Sequence, residues 1–300
     1  MSAIAAGSFS ERLRRRAALW WGPTGPWWTP RGFRLRVHRR GLRRVHRTGE
    51  MQVLRYRNSP EHVWRFCRYW QRALLNKFNS REFVQRYGFR VPELYWHGRQ
   101  LSELPIDSLP ECYVIRPIIG ASSQRVFVVM DGHELMSDTR LSKRELRDRL
   151  RGEFGEVTTE PILVEEFVHS PGRSSALPRE YKFHVFGDRI AAIEAQDRAG
   201  RKPKTQRQFD ADWNPLPQPI HTRVTLGGAL DPPANLDEMI RCVRRLGVAF
   251  GTYVRVDYYD TDRGAVFSEF SSTPGAGTGY TRFGDDYMGR LWTEVYPREV

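Results

Sequence analysis

The 300-residue sequence contains no apolar run of about 18 residues, so no segment reads as a membrane-crossing helix. The first thirty residues lack the apolar core of a secretory signal. Cysteine is scarce. Cys67, Cys112 and Cys242 lie far apart and make no CxxC pair, no zinc spacing and no even disulfide set. A reduced, cytoplasmic setting is the expectation, with peripheral contact at the inner membrane face as its variant. Lysine is scarce as well: only five of the 48 basic residues are lysine, which we read as coding bias. There is no GxSxG and no cysteine beside a suitable base, so the sequence advertises no serine or cysteine nucleophile. Acids are nearly missing from the first fifty residues, where only Glu11 and Glu50 occur.

What is present there is arginine. Residues 1–50 hold twelve arginines and a charge of +10, which leaves +3 of the total +13 to residues 51–300. A basic nucleic-acid-binding domain throughout is therefore excluded, and no nucleic-acid partner is expected. Residues 1–50 read as a basic arm, disordered or peripheral. Trp20, Trp21, Trp27 and Trp28 suit contact with anionic lipid or another polyanion. Plain disorder is a second reading, and a native start at Met51 is a third. The remaining 250 residues suffice for one large core or two modest ones. The 40% hydrophobic and 12% aromatic content fits a packed globule.

From Asn58 the pattern becomes periodic. Val63, Phe66, Cys67, Trp70 and Leu74 mark a helix face over Glu61–Leu75. Ser80–Tyr87 reads as a second helix with Ser80 as its N-cap, and Pro92–His97 as a strand entry. Cys112–Arg116 and Arg125–Met130 read as strands, Leu141–Phe154 as a charged helix, and Pro161–Val168 as a strand ending in acids. Tyr181–Phe186 and Arg189–Ala195 flank the hairpin signal Gly187-Asp188. Asn235–Leu246 reads as a helix stopped by Gly247. Tyr253–Tyr259 and Ala265–Phe270 read as a strand pair. Helices and strands mix without strict βαβ alternation, which predicts an α+β fold with antiparallel sheets.

Three features carry chemistry. Arg116 ends a strand before the small-residue loop Ile119–Gln124, where backbone N–H groups can approach phosphate beside a cation. Glu165 and Glu166 end an apolar strand, as a hinge beside a nucleotide would, although a solvated strand end is the plainer explanation. Arg255 and Asp257 share a face of one strand, and the hairpin brings Asp257 about opposite Glu269. Two carboxylates in an apolar hairpin, with a nearby hydroxyl, suit a hard cation such as Mg²⁺.

The order of these features resembles the ATP-grasp superfamily, and within it the TupA-like branch named for teichuronopeptide biosynthesis. The matching segments are NKFNSREFV from Asn76, YVIRP from Tyr113, VEEFV from Val164 and EYKFHVFGD from Glu180. QDR from Gln196, QFDADWNPLP from Gln208, VRVDYYD from Val254 and SEFSSTPGAG from Ser268 complete the set. The resemblance covers roughly residues 75–285. It implies an ATP-grasp fold, with two α+β subdomains holding ATP between antiparallel sheets. Its parts would be a reduced leading segment at 51–110, a small subdomain at 111–168 and a large subdomain at 169–300.

The resemblance also implies roles. Arg116 falls at the strand-end phosphate lysine, and Arg81 at the upstream phosphate cation, with Lys77 in the adjoining signature. Gly120, Ser122 and Ser123 belong to the loop over the phosphates. Glu165, Glu166, Phe167 and Val168 form the adenine hinge, and Glu180 is the ribose acid. Asp257 and Glu269 would hold Mg²⁺, with Ser271 at a third position that is often Asn. Arg255 would touch phosphate or the intermediate, and Lys182 and Arg198 are looser site candidates. Arginine at 116, a loop poor in glycine and serine at 271 depart from the family pattern.

The implied activity is an ATP- and Mg²⁺-dependent ligase joining a small-molecule carboxylate to the amine of an amino acid, peptide or amino sugar through an acyl phosphate. Envelope polysaccharide or secondary-metabolite synthesis is the implied context. The alternatives are a catalytically degenerate nucleotide-binding accessory protein and a kinase on the same fold.

Overall fold

A computed structural model describes residues 32–37, 65, 70–120, 123–172, 177–199, 202–222, 225 and 227–297, without the side chains of 198, 199 and 202–204. Trp20, Trp21, Trp27, Trp28, Ser122 and the Arg198 side chain lie outside the described residues. So does most of the expected Glu61–Leu75 helix, of which the described part, Trp70–Leu75, is a 3-10 helix.

Alternating and continuous apolar runs build two antiparallel sheets. The first contains β1 (Leu94–Gln100), β2 (Cys112–Pro117), β3 (Phe127–Met130), β4 (His133–Glu134), β5 (Thr139–Arg140) and β6 (Val157–Glu166). Their order is β1-β6-β2-β3-β4-β5. Asp131 and Gly132 both take the left-handed conformation, φ 50° and 73°, which closes the β3–β4 hairpin. The second sheet contains β7 (Glu180–Phe186), β8 (Arg189–Ala199), β9 (Lys202–Phe209), β10 (Val254–Thr261) and β11 (Gly264–Ser271), in the order β11-β10-β7-β8-β9.

Each sheet buries an apolar face under helices. Helix α1 spans Lys77–Arg86, and α2, Lys143–Phe154, covers the first sheet. Leu146, Leu150 and Phe154 of α2 recur every fourth residue and join the core with Ile115, Phe127, Ile162 and Val164. A capping box between Ser142 and Glu145 starts α2. Helix α3, Leu236–Phe250, lays Met239, Cys242, Val243, Leu246 and Phe250 on the second sheet. Helix α4, Arg282–Val295, packs Met288, Leu291 and Trp292 into a third cluster at that sheet's end.

Several expectations change. Helix α1 starts three residues before Ser80: Asn76 is the N-cap, its Oδ1 accepting from Phe78 N at 2.9 Å and Asn79 N at 3.3 Å. Helix α3 runs through Gly247 and ends at Gly251, whose φ of 76° supplies the left-handed cap. Gly247 instead permits a close approach, since a Cβ there would lie 2.2 Å from the carbonyl oxygen of Gly187. Residues 70–110 form no layer of their own. Ala73, Leu74, Phe83 and Val84 join the second sheet's core, whereas β1, Leu101, Leu104 and Ile106 belong to the first sheet.

The basic arm is not wholly peripheral either. Residues 33–37 are helical, and Phe33 is fully buried among Phe186, Tyr253, Tyr280 and Trp292. The Phe33 ring meets Tyr253 and Tyr280 edge-on, with centroids 4.8 and 4.9 Å away. Arg36 lies over Trp292 and donates to Thr293 Oγ1 at 2.8 Å, while Arg34 N donates to Asp285 Oδ1 at 2.6 Å.

Candidate active site

A cavity of about 810 Å³ lies between the two sheets. Its first wall is apolar. Val114, Val126, Val128, Met136, Phe167 and Leu177 form a slot beside β2, β3 and the end of β6. Phe167 and Val168 line it just past the last strand residue, Glu166. A flat heterocycle suits such a slot.

The second wall is the polar face of the five-stranded sheet. Strand alternation puts Glu180, Lys182 and His184 of β7 on it, while Tyr181, Phe183 and Val185 face the core. Cross-strand pairing then aligns one row: Glu269 opposite Asp257, Asp257 opposite Lys182, Lys182 opposite Glu194, Glu194 opposite Gln208. The carboxylates and cations in this row neutralise one another. Arg255 Nε and Nη2 donate to the two oxygens of Asp257, each at 2.7 Å, and Nη2 reaches Glu269 Oε1 at 3.4 Å. Lys182 Nζ lies 2.8 Å from Glu180 Oε2 and 3.4 Å from Asp257 Oδ2.

The titration behaviour follows. Burial holds Asp257 above its ordinary value, against Arg255 and Lys182. Burial also pushes Glu269 up, but Lys77, Arg255, Lys182 and Arg116 outweigh it and leave Glu269 low. Burial pulls the Lys77 ammonium down to about 8, with Glu269 pulling the other way. Asp257 and the half-buried Glu269 therefore already have cationic partners from the protein, Arg255 and Lys182 for Asp257 and Arg255 for Glu269.

The structure brings most of the candidate residues together. Arg116, Gly120, Ser123, Glu165, Glu166, Phe167, Val168, Glu180, Lys182, Arg255 and Glu269 all line the cavity. Asp257 is buried directly behind Arg255. Arg116 is itself buried, and its Nη2 lies 2.6 Å from Glu165 Oε1. Burial lowers the Arg116 guanidinium, and Glu165 with Tyr259, Glu269 and Glu180 more than reverses that. Glu166 is engaged by Arg263 and by Glu93 N, so both carboxylates at the end of β6 have protein partners.

Two further candidates are not in the cavity lining. Arg81 is not on the wall. It sits behind Glu165, donating to Oε2 at 3.3 Å and to the Pro92 carbonyl. Lys77, at the first turn of α1, takes the wall position instead. Ser271 lies opposite Arg255 on the same face of the sheet, two residues beyond Glu269, and like Asp257 is not itself part of the cavity lining. Ser123 and Arg125, flanking the loop over the cavity, hold φ of 54° and 58°, a strained choice for non-glycine residues.

Sequence reasoning missed His184, Glu194, Gln206 and His221. A regular two-residue turn at Gly187-Asp188 would set Lys182 opposite Ile193; a register shift between His184 and Val185 sets it opposite Glu194 instead, so this pairing was not readable from the turn. His221 comes from an irregular segment and carried no periodic signal.

The model of the TupA-like ATP-grasp family matches residues 69–292, and the chain belongs to that family. Its fold is the α+β ATP-grasp fold, with two antiparallel sheets. Among solved structures it is similar to the D-alanine–D-alanine ligase from Bacillus anthracis complexed with ATP, at 16% identity and a TM-score of 0.43, over 68% of this chain and 56% of that one. It is similar to the ATP-grasp ligase PsnB complexed with minimal precursor, Mg and ADP, at 12% identity and a TM-score of 0.45, over 77% and 60%. It is also similar to the L-amino acid ligase from Bacillus licheniformis, at 16% identity and a TM-score of 0.42, over 68% and 41%. The chain thus spans roughly half of these proteins' lengths. No curated protein sequence matches it. No helix among the described residues is long and apolar enough to cross a membrane.

Proposed function

We propose that this chain is an ATP- and Mg²⁺-dependent carboxylate–amine ligase working through an acyl phosphate. One observation carries the reading: a single cavity joins an apolar slot to a cluster of the buried Arg116, Lys77, Lys182 and Asp257 with the half-buried Arg255 and Glu269. The slot takes the adenine. Lys77, Arg116, Lys182 and Arg255 offset the charge of the phosphates and of the acyl phosphate. Glu180 at the cavity edge is the ribose acceptor. The loop at Gly120 and Ser123 excludes water from a hydrolysable intermediate.

The donor set fits Mg²⁺. Asp257 and Glu269 offer carboxylate oxygens from adjacent strands, and Arg255 now spans them, so a cation would take over Arg255's role as their partner. When bound, the ion supplies charge neutralisation to the phosphates. Ser271, on the same face and two residues beyond Glu269, remains the third candidate position, a hydroxyl where a carboxamide is usual. Amino acids, peptides and amino sugars are the acceptor classes we propose, with products destined for envelope polysaccharide or secondary metabolites.

The bridging position of Arg255 also favours a second reading, a nucleotide-binding accessory protein without turnover. Mg²⁺-ATP with pooled amino acids separates the two. ADP, inorganic phosphate and a new amide support the ligase. ATP binding without ADP release supports the accessory protein, and a phosphorylated product without amide would turn the reading to a kinase.

A further inference from the structure

Farther along the polar face, away from Asp257 and Glu269, lies a second cluster. Glu194 is buried, and its carboxylate is fully engaged. Oε1 lies 2.8 Å from His184 Nε2 and 2.6 Å from His221 Nε2, and Oε2 accepts from Gln206 Nε2 at 2.7 Å. These are hydrogen-bond distances. A tetrahedral zinc with bonds of about 2.0–2.1 Å would hold its ligand atoms roughly 3.3 Å apart.

The contacts fix the tautomers. A carboxylate only accepts, so both imidazoles present Nε2–H to it. His184 is fully buried, and its Nδ1 then accepts from the Tyr253 hydroxyl at 2.8 Å. His221 differs: its side chain is 21% exposed, it lines the cavity, and its Nδ1 makes no hydrogen bond among the described residues. Burial alone would raise Glu194, but His221 and His184 outweigh it and hold the carboxyl well below the usual range, so it stays anionic. An ionised, triply satisfied carboxylate on Nε2 leaves Nδ1 with a lone pair whenever the ring is neutral, and that is the arrangement of an oriented general base.

The position fits an acceptor. In the row that runs Glu269, Asp257, Lys182, Glu194, the last carboxylate stands two strands, roughly 10 Å, from Asp257. The charge of Arg255 acts on Asp257 most strongly, and Glu194 also acts on Arg255, so the arginine connects the two groups.

We propose that His221, oriented by Glu194, is the base that deprotonates the incoming amine, and that the cavity around His221, Gln206, Thr222 and Tyr280 is the acceptor subsite. This rests on the ligase reading above. His221 Nδ1 takes a proton from the ammonium group. The freed amine attacks the acyl carbon, a C–N bond forms, and the C–O bond to phosphate breaks. The second amine proton leaves with the phosphate as hydrogen phosphate. The imidazolium is stabilised by Glu194 and later loses its proton to solvent. His221 touches the substrate; Glu194 is a positioning residue.

The test separates the two halves of the reaction. Full-length protein is incubated with Mg²⁺-ATP and a pool of amino acids, dipeptides and amino sugars, with and without hydroxylamine. Hydroxylamine is already neutral near pH 7.5 and traps an acyl phosphate as hydroxamate without a base. His221→Gln keeps a donor for Glu194. It is expected to lower amide formation at least about 100-fold, while hydroxamate formation falls less than threefold. Glu194→Gln should show the same split, about tenfold in amide formation. Equal loss of hydroxamate and amide in His221→Gln, or amide formation within threefold of wild type, overturns the assignment and leaves the ligase reading standing. A wild type that makes neither product overturns the ligase reading and the base together. Independently of turnover, ¹⁵N spectra of the resting protein should show His221 as the Nε2–H tautomer. An Nδ1–H tautomer, or stoichiometric Zn²⁺ uptake abolished by His184→Gln, would also sink the proposal.

Discussion

The two faces of the five-stranded sheet are both buried, yet their chemistry is opposite. One face carries Tyr181, Phe183, Val185, Ile193, Val254 and Val256 against α1 and α3. The other carries Lys182, Glu194, Asp257 and Glu269 along the cavity, and is closed at its end by Phe33, Tyr253, Tyr280 and Trp292. Burying apolar area stabilises the fold without direction. Burying charge costs free energy unless partners are placed with precision, and that placement is what a site for phosphate and carboxylate needs. The same backbone hydrogen bonds therefore hold a stability layer and a chemistry layer one side chain apart.

The comparison can be broken from several directions. The largest effect should come from the aromatic closure. Phe33→Ala is expected to destabilise by about 3–5 kcal/mol, and a chain beginning at Met51 by at least as much. Urea unfolding would read this, and a truncated chain as stable as the whole would show that residues 33–37 are not part of the core.

Next, Phe183→Ala on the apolar face should cost about 3–5 kcal/mol, whereas Gln196→Ala on the polar face should cost no more than about 1.5 kcal/mol. Equal costs would mean that the two faces are not functionally separate layers.

Gly247→Ala should cost about 1–3 kcal/mol by forcing α3 away from the Gly187 carbonyl. A stabilised Gly247→Ala protein would contradict the close approach seen between them.

The smallest effect is a pH dependence. Lys77 has a folded value of about 8, below its ordinary 10.5. Between these values the unfolded chain binds more protons, so this group makes stability rise with pH from about 8 to 10.5, the range over which its buried charge is relieved. Nucleotide binding should run the opposite way. The phosphates favour charged Lys77, so ATP affinity should fall severalfold from pH 7 to 9 with proton uptake on binding. Calorimetry in buffers of different ionisation enthalpy would detect that uptake, and Lys77→Gln should abolish it.

Much of this organisation was readable in the sequence because strands alternate with period two. EYKFHVF and VRVDYYD each announce a polar and an apolar face, and the hairpin around Asp262-Arg263 brings Asp257 close to Glu269, although a register shift between Asp257 and Tyr258 is what sets the two directly opposite. The small-residue loop after Arg116 and the acid-ended β6 were legible for the same reason: local geometry follows local residue type. The Asn76 cap was misplaced because Ser80 and Asn76 both suit an N-cap, and only the Phe78 and Asn79 amides reveal which is used. Gly247 looked like a stop signal because close helix–strand approach and helix termination leave the same residue in the sequence.

By itself, then, the sequence determined the alternation, the hairpin turns and the family to which the chain belongs, since these depend on neighbours within a few residues or on an ordered set of motifs, whereas the register shifts beyond the turns were left to the folded sheet. Only the tertiary structure decided which cations face the cavity. It put Lys77 on the wall and Arg81 behind Glu165, gave Asp257 an arginine partner from its own strand, and docked Phe33 against Tyr280, 247 residues later in the chain. It also carried His221 from an irregular segment to the carboxylate of Glu194. Such contacts are fixed by which sheet faces meet across the cavity, and no local pattern encodes that meeting.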